Sequence, residues 1–243
     1  MPRVYILIAV HIGLNEGMRF SIVPVITLFA LSTAMAQTPD EKRLKLASVV
    51  LSEVMSIKDK AIPQELLEKA ECAVIVPGLK KGAFIFGAKF GRGYITCRQD
   101  DKVGWKSPGA VRIEGGSLGF QIGGAEMDVI LLVMNKRGGE RLLESRFTMG
   151  GEASVAAGPV GRDSSAQTDG KMTAEILSYS RQRGVFAGIS LQGASLREDV
   201  DSNRAMYGKS LTNKEVMTTN PPATAAGAEL LQELNRYSSR KSQ

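Results

Sequence analysis

The chain has 243 residues, 43% hydrophobic and 23% charged, with a net charge of +6, one histidine and two cysteines. That length supports one or two domains with a substantial core, and the composition excludes collagen, coiled-coil and bulk-disordered classes. The basic bias suits anionic partners, but aromatics are only 6% and the cations are dispersed. A nucleic-acid reader concentrates basic charge with interleaved aromatics, so nucleic acid is not an expected partner.

Residues 1–36 read as a targeting segment. Arg19 precedes "FSIVPVITLFAL" and "STAMAQ", a positive n-region, an apolar h-region and a small-x-small cleavage site at Ala34-Met35-Ala36. Cleavage is expected before Gln37, and Met18 is a better start than Met1 because "NEG" interrupts the preceding apolar run. The alternative is an uncleaved membrane anchor, for which the run is short. No cysteine follows the cleavage site, which argues against a lipid-anchored lipoprotein. Removing Arg3, Glu16 and Arg19 lowers the net charge by one, to +5, so the basic bias belongs to the domain. The same cut removes His11, the only histidine. Without it the mature chain has no Ser-His-Asp triad, Cys-His dyad, His-ligated zinc or histidine general base, and neither a cofactor nor a metal is expected.

Residues 40–57 predict an amphipathic helix. Leu44, Ala47, Leu51, Val54 and Met55 share one face, widened by Val50 and Ile57, opposite Glu41, Lys42, Lys45, Ser48, Ser52, Glu53 and Ser56. Two placements fit this pattern: apolar face on the protein core, or apolar face in a membrane interface with the cations near phosphates. Pro63 opens a second short helix, "PQELLEKAE".

From Cys72 the pattern turns to β. "CAVIVPG", "GAFIFGAKFGRGYITCR", "GAVRIEGGSLGFQIGG" and "MDVILLVMN" are strand-length and glycine-separated. "GERLLESR" reads as a short helix; "EASVAAG", "AEILSYSRQ" and "VFAGISLQGASLRED" continue the strands. The predicted class is α+β: a compact glycine-rich antiparallel sandwich or barrel with N-terminal amphipathic helices and a C-terminal helix. "DVDSNRAMYGKSLTNKEVM" reads as irregular helix and turn, "NPPATAAG" as a linker, and "AELLQELNRYSSRKSQ" as a weakly tied helix and basic tail. The expected boundaries are 1–36, 37–219 and 220–243. Cys72 and Cys97 lie in strand-like runs and fit either a disulfide or two buried thiols.

Catalytic motifs fail on context. "GGSLG" matches G-x-S-x-G around Ser117, but the nucleophile elbow needs a strand–turn–helix setting and a histidine. "GPVGRDSS" has the wrong spacing for a P-loop, and "GRGYIT" lacks the third glycine of G-x-G-x-x-G. Glu114, Glu126, Asp128, Glu152 and Asp163 sit near glycine-rich turns, but nothing in the sequence pairs them for carboxylate catalysis. The cations carry more information: Lys42, Arg43 and Lys45 on the first helix, Lys80 and Lys81 in a turn, then Lys89, Arg92 and Arg162.

Five stretches occur in order: "IPQELLEKAECAVIVPGLKKGAFIFGAKFGRGYI", "GWKSPGAVRIEGGSLGFQIGGAEMDVILLVMN", "GGEASVAAGPVGRDSSAQ", "ILSYSRQRGVFAGISLQGASLRED" and "NRAMYG". Together they closely resemble the SYLF domain, also called the Ysc84 family, from about Asp40 to about Met217. The resemblance implies lipid binding: eukaryotic SYLF domains bind phosphoinositides, with an N-terminal amphipathic helix as an important element, and some bind actin. Two departures limit the transfer. This chain carries an export signal, which makes cytosolic phosphoinositides and actin unsuited as natural partners, and its 243 residues contain no SH3 or FYVE module. The expectation is therefore a non-enzymatic bacterial envelope protein that is periplasmic or peripherally membrane-associated. It binds anionic phospholipid with phosphoinositide-like headgroups through Lys42, Arg43, Lys45, Lys80, Lys81, Lys89, Arg92 and Arg162. The alternatives are an envelope protein-interaction module, with an envelope protein as partner, and a histidine-free hydrolase. The lipid, the leaflet and the oligomeric state stay open at this level.

Overall fold

A computed structural model of the chain describes residues 37–57, 61–83, 86–118, 123–161, 174–182, 185–189, 191 and 193–239. Helix α1 (Pro39–Ser56) starts where its chemistry dictates. Thr38 accepts from the Glu41 N–H, the Glu41 carboxylate accepts from the Thr38 N–H at 2.8 Å, and proline occupies the first turn. Helix α2 (Gln64–Lys69) follows Pro63. Strands β1 (Cys72–Ala83), β2 (Phe86–Cys97), β3 (Gly109–Leu118) and β4 (Gly123–Val133) form the centre of one sheet. Then come α3 (Lys136–Leu142), β5 (Arg146–Thr148), β6 (Val155–Ala157), β7 (Ile176–Gln182), β8 (Val185–Gly188), β9 (Ser195–Glu198), α4 (Val200–Tyr207), α5 (Asn213–Thr219) and α6 (Ala225–Tyr237).

The strand order is β5-β9-β3-β2-β1-β4-β7-β6, with β8 also on β7. Every pairing is antiparallel except β6 with β7. The α+β class and the glycine-rich antiparallel sheet follow the sequence expectation; the sheet is a single curled half-barrel. Its two faces bury different cores. Alternation along β1 sends Ala73 and Ile75 outward, under the helices, with Tyr94, Trp105, Ile130 and Tyr179. It sends Val74, Val76 and Leu79 inward, with Ile95, Ile113, Leu131, Phe147 and Leu196.

The apolar stripe of α1 lies on the outer face. Leu44, Ala47, Leu51 and Val54 are fully buried and Val50 nearly so, which answers the question the periodicity left open: this stripe packs on the protein's own core. Tyr94 donates its hydroxyl to the Asp40 carbonyl at 2.8 Å, fastening one end of α1 to β2. Arg181 of β7 bonds Glu53 near the other end.

Helix α6 is not weakly tied. Ala226, Leu230 and Leu234 are buried in the same core as α1. Just beyond α6, Ser238 accepts from the Trp105 indole N–H at 3.0 Å. The buried Arg98 stacks 4.0 Å from the Trp105 ring and donates to the carbonyls of Ser238 (3.0 Å), Leu67 (3.1 Å), Glu68 (3.2 Å) and Ala70 (3.3 Å). One guanidinium thus closes the ends of α2 and α6, supplying donors where helix C-termini leave carbonyls open.

Two local readings changed on folding. The expected helix "GERLLESR" is α3, begun earlier by Asn135, whose side chain accepts from Gly138 N–H; Arg146–Thr148 are then drawn into the sheet beside β9. "DVDSNRAMYGKSLTNKEVM" forms two capped helices, with Gly208 left-handed at φ +68° between them. Asn203 accepts from the Ala110 N–H at 2.7 Å and donates to Asn213 Oδ1 at 3.0 Å, stitching α4 and α5 to β3. In "EASVAAGPVGR", Gly158 leaves room for the ring of Tyr179, which a Cβ there would overlap. Cys72 and Cys97 are register partners on β1 and β2 and are joined as a disulfide.

Two stability outcomes follow. Arg98→Met leaves four carbonyls without their donor and is expected to cost about 3 kcal/mol in urea denaturation. Reducing the disulfide, which closes a 25-residue separation, is expected to cost about 3 kcal/mol, read as a lower midpoint with dithiothreitol.

Candidate functional site: the bare outer face of the sheet

The helices cover only part of the outer face. A bulge in β1 at Pro77-Gly78 sets what the remainder displays. Val76 and Leu79 both point inward, Gly78 takes φ +61° and donates its N–H to Asp128 at 3.0 Å, and Lys80 returns to the outer face. Lys80 pairs with Phe90 on one side and Glu126 on the other. Along β2, Phe90 and Arg92 share the face of Tyr94, beyond the end of α1.

Helix α1 borders this area with a second, narrower stripe. Leu46 and Val49 are 54% and 48% exposed, and Lys42 precedes Leu46 by one turn. Between this stripe and the β1 bulge runs a groove of about 530 Å³, lined by Lys42, Leu46, Val49, Pro77, Gly78 and Asp128 among others. Its far end is closed by Arg181, which donates to Asp128 at 2.7 and 2.9 Å. Phe90, 48% exposed, is a further apolar side chain on this face, opposite Lys80 in the strand register.

The eight cations expected to bind lipid divide accordingly. Lys42 and Lys80 face outward and make no ion pair among the described residues. Arg43 pairs with Asp40 at 2.7 Å, Lys45 approaches Glu229 of α6 at 4.0 Å, and Arg92 lies 3.4 Å from Asp199. Lys81 and Lys89 are cross-strand partners on the opposite, inward face. Burial, and then the neighbouring Lys81, hold the Lys89 ammonium below the ordinary lysine range. Arg162 lies outside the described residues. Sequence reasoning missed Leu46, Val49 and Phe90. Lys42, Leu46 and Val49 recur at helical spacing, a signal that the stronger stripe beside them masks.

The catalytic alternatives find no assembled constellation among the described residues. Ser117 lies within β3, paired with Gly87, rather than on a strand-to-helix turn. Asp128 is held by Arg181, and Glu114 lies 3.0 Å from Arg112 and 3.6 Å from Arg197. Asp163 lies outside the described residues. Among the described residues no group of three or more His, Cys, Asp or Glu side chains could hold a metal ion, and no helix is long and apolar enough to cross a membrane.

Residues 114–237 match the Ysc84 family, described as "Las17-binding protein actin regulator". An SH3 domain-containing protein of Schizosaccharomyces pombe is 36% identical over 177 residues, 72% of this chain and 41% of that protein. The SH3 domain-containing YSC84-like protein 1 of Rattus norvegicus is 31% identical over 199 residues, 79% of this chain and 58% of that protein. LAS seventeen-binding protein 3 of Saccharomyces cerevisiae is 32% identical over 185 residues, 73% and 40%. The chain spans about half the length of the curated relatives it matches, and their names describe binding and regulation rather than catalysis. On both the family match and the relatives, the chain belongs to the Ysc84 (SYLF) family.

Proposed function

We propose that this chain is a non-enzymatic protein of the bacterial cell envelope that docks on anionic phospholipid surfaces through the bare outer face of its sheet. One observation carries the reading: two cations without ion pairs among the described residues stand beside exposed apolar side chains, Lys42 in one groove with Leu46 and Val49 and Lys80 opposite Phe90 in the strand register. Cations beside a shallow apolar patch suit an interface where phosphates lie above acyl chains. The apolar stripe of α1 takes no part, because it is already buried. Lys81 and Lys89 belong to the inward face, so a surface that meets Lys80 and Phe90 does not engage them. Export is supported by the n-region, h-region and Ala34-Met35-Ala36 pattern, and a disulfide suits an oxidising compartment.

A protein partner is the second reading, favoured by the family description and the relatives' names. The C-terminal helix is a poor docking element for it, since its apolar side is part of the core.

Co-sedimentation of the full chain with phosphatidylcholine vesicles, with and without phosphatidylserine, distinguishes the two. Salt-sensitive binding to the anionic vesicles alone is expected, weakened roughly tenfold by Lys42→Gln with Lys80→Gln. Leu46→Ser with Phe90→Ser is expected to weaken it further. Equal binding to both vesicle types overturns the membrane reading; no binding to either, with a stable crosslinked protein partner, favours the second. Lys89→Met is expected to leave vesicle binding unchanged while raising the melting temperature by roughly 1–2 °C, because it removes a half-buried like charge opposite Lys81.

A further inference from the structure

The strand register assembles an arginine row that no part of the sequence displays. Arg92 of β2 pairs with Arg112 of β3, Arg112 with Arg197 of β9, and Arg197 with Arg146 of β5. All four side chains belong to the outer face, since their neighbours Gly91, Val111, Ile113, Leu196 and Phe147 face the inner core. Four arginine side chains therefore leave the sheet from neighbouring positions on four adjacent strands, a line of about 14 Å along the backbone at one strand spacing per step.

Like charges directly opposite one another destabilise a sheet, and here that arrangement repeats three times in succession. Two acids face three of the four arginines, which leaves the row a net positive charge: Asp199 lies 3.4 Å from Arg92, and Glu114 serves both Arg112 and Arg197. Arg146 is exposed and makes no ion pair among the described residues. Arg112, Arg197 and Arg92 keep side-chain exposures of 34%, 39% and 44%, so the row is accessible from solvent.

We propose that this row is a binding site for a ligand carrying two or more phosphate groups in line. A guanidinium presents a planar fork that matches a phosphate's oxygens, and it stays charged at every physiological pH. A lone phosphate bridges one cross-strand pair; successive phosphates spaced along the row engage successive arginines. The row runs beside the Lys80–Phe90 shelf but does not depend on the membrane reading, because its charge and geometry serve a soluble oligophosphate as well as a multiply phosphorylated lipid headgroup.

The test is calorimetric titration of the full chain with sodium tripolyphosphate and with orthophosphate at matched ionic strength. Tripolyphosphate is expected to bind at least about tenfold more tightly. Arg197→Gln with Arg146→Gln is expected to weaken it about tenfold or more, and Arg197→Lys, which keeps the charge but loses the fork, by a few-fold. Lys42→Gln with Lys80→Gln is expected to leave it unchanged, so failure of the membrane reading and failure of this one are separable. Circular dichroism and melting temperature check that each variant is folded. Vesicles carrying a bisphosphate headgroup, compared with monophosphate vesicles of equal surface charge, identify the source. A bisphosphate preference lost in Arg197→Gln/Arg146→Gln assigns the row to a lipid headgroup; no such preference, with tripolyphosphate binding intact in the parent chain, assigns it to a free ligand. Equal affinity for orthophosphate and tripolyphosphate, or unchanged tripolyphosphate affinity in the folded double variant, overturns the proposal.

Discussion

An amphipathic helix has one broad apolar stripe, and it can bury that stripe only once. In α1 the stripe is committed to the sheet and α6: Leu44, Ala47, Leu51 and Val54 have no solvent exposure. Each of the three larger side chains, Leu44, Leu51 and Val54, stabilises the fold by roughly 1.5–3 kcal/mol relative to exposure, so withdrawing the stripe into a bilayer would forfeit a large share of a domain's net stability. The Tyr94–Asp40 and Arg181–Glu53 contacts fasten both ends. Everything that can meet a partner on this side of the molecule is what α1 leaves uncovered.

What it leaves uncovered is chemically divided. Toward β4 and β7 the bare face is internally neutralised, with Arg181 held by Asp128 and Glu53. At the centre Lys80, Phe90 and the outer edge of α1 combine cations that make no ion pair among the described residues with exposed apolar side chains. Toward β3, β9 and β5 the arginines accumulate in one line. The inner face carries the Lys81–Lys89 pair at its open end, where burial works against charge. A count of basic residues treats these environments as one; the sheet separates them by face and by register.

The elements themselves were largely legible. The helix expected over residues 40–57 is Pro39–Ser56, because its capping box and its 3.6-residue period are both local signals. The glycine-punctuated strands were legible for the same reason. In "GGEASVAAGPVGRDSSAQ", whose composition suggests a phosphate loop, the described residues 150–161 have a packing role: a short parallel strand on β7, and a glycine that accommodates Tyr179. The errors arose where long-range contact outweighs local pattern. The helix in "GERLLESR" stops at Leu142 and its last residue, Arg146, pairs with β9, and the C-terminal helix is held by Trp105 and Arg98, more than a hundred residues away.

By itself the sequence determined the class of the fold, its helices and strands, the export-type N-terminus as an expectation, and the absence of histidine chemistry beyond residue 36. These follow from period, capping and composition, which neighbouring residues express without knowledge of the whole. Only the tertiary structure decided which face of α1 is buried, that Cys72 meets Cys97, that Lys80 and Lys81 point to opposite sides of the sheet, and that Arg92, Arg112, Arg146 and Arg197 stand together. Each depends on strand register or on a bulge, and a shift of one residue in either would send the same side chain to the other face.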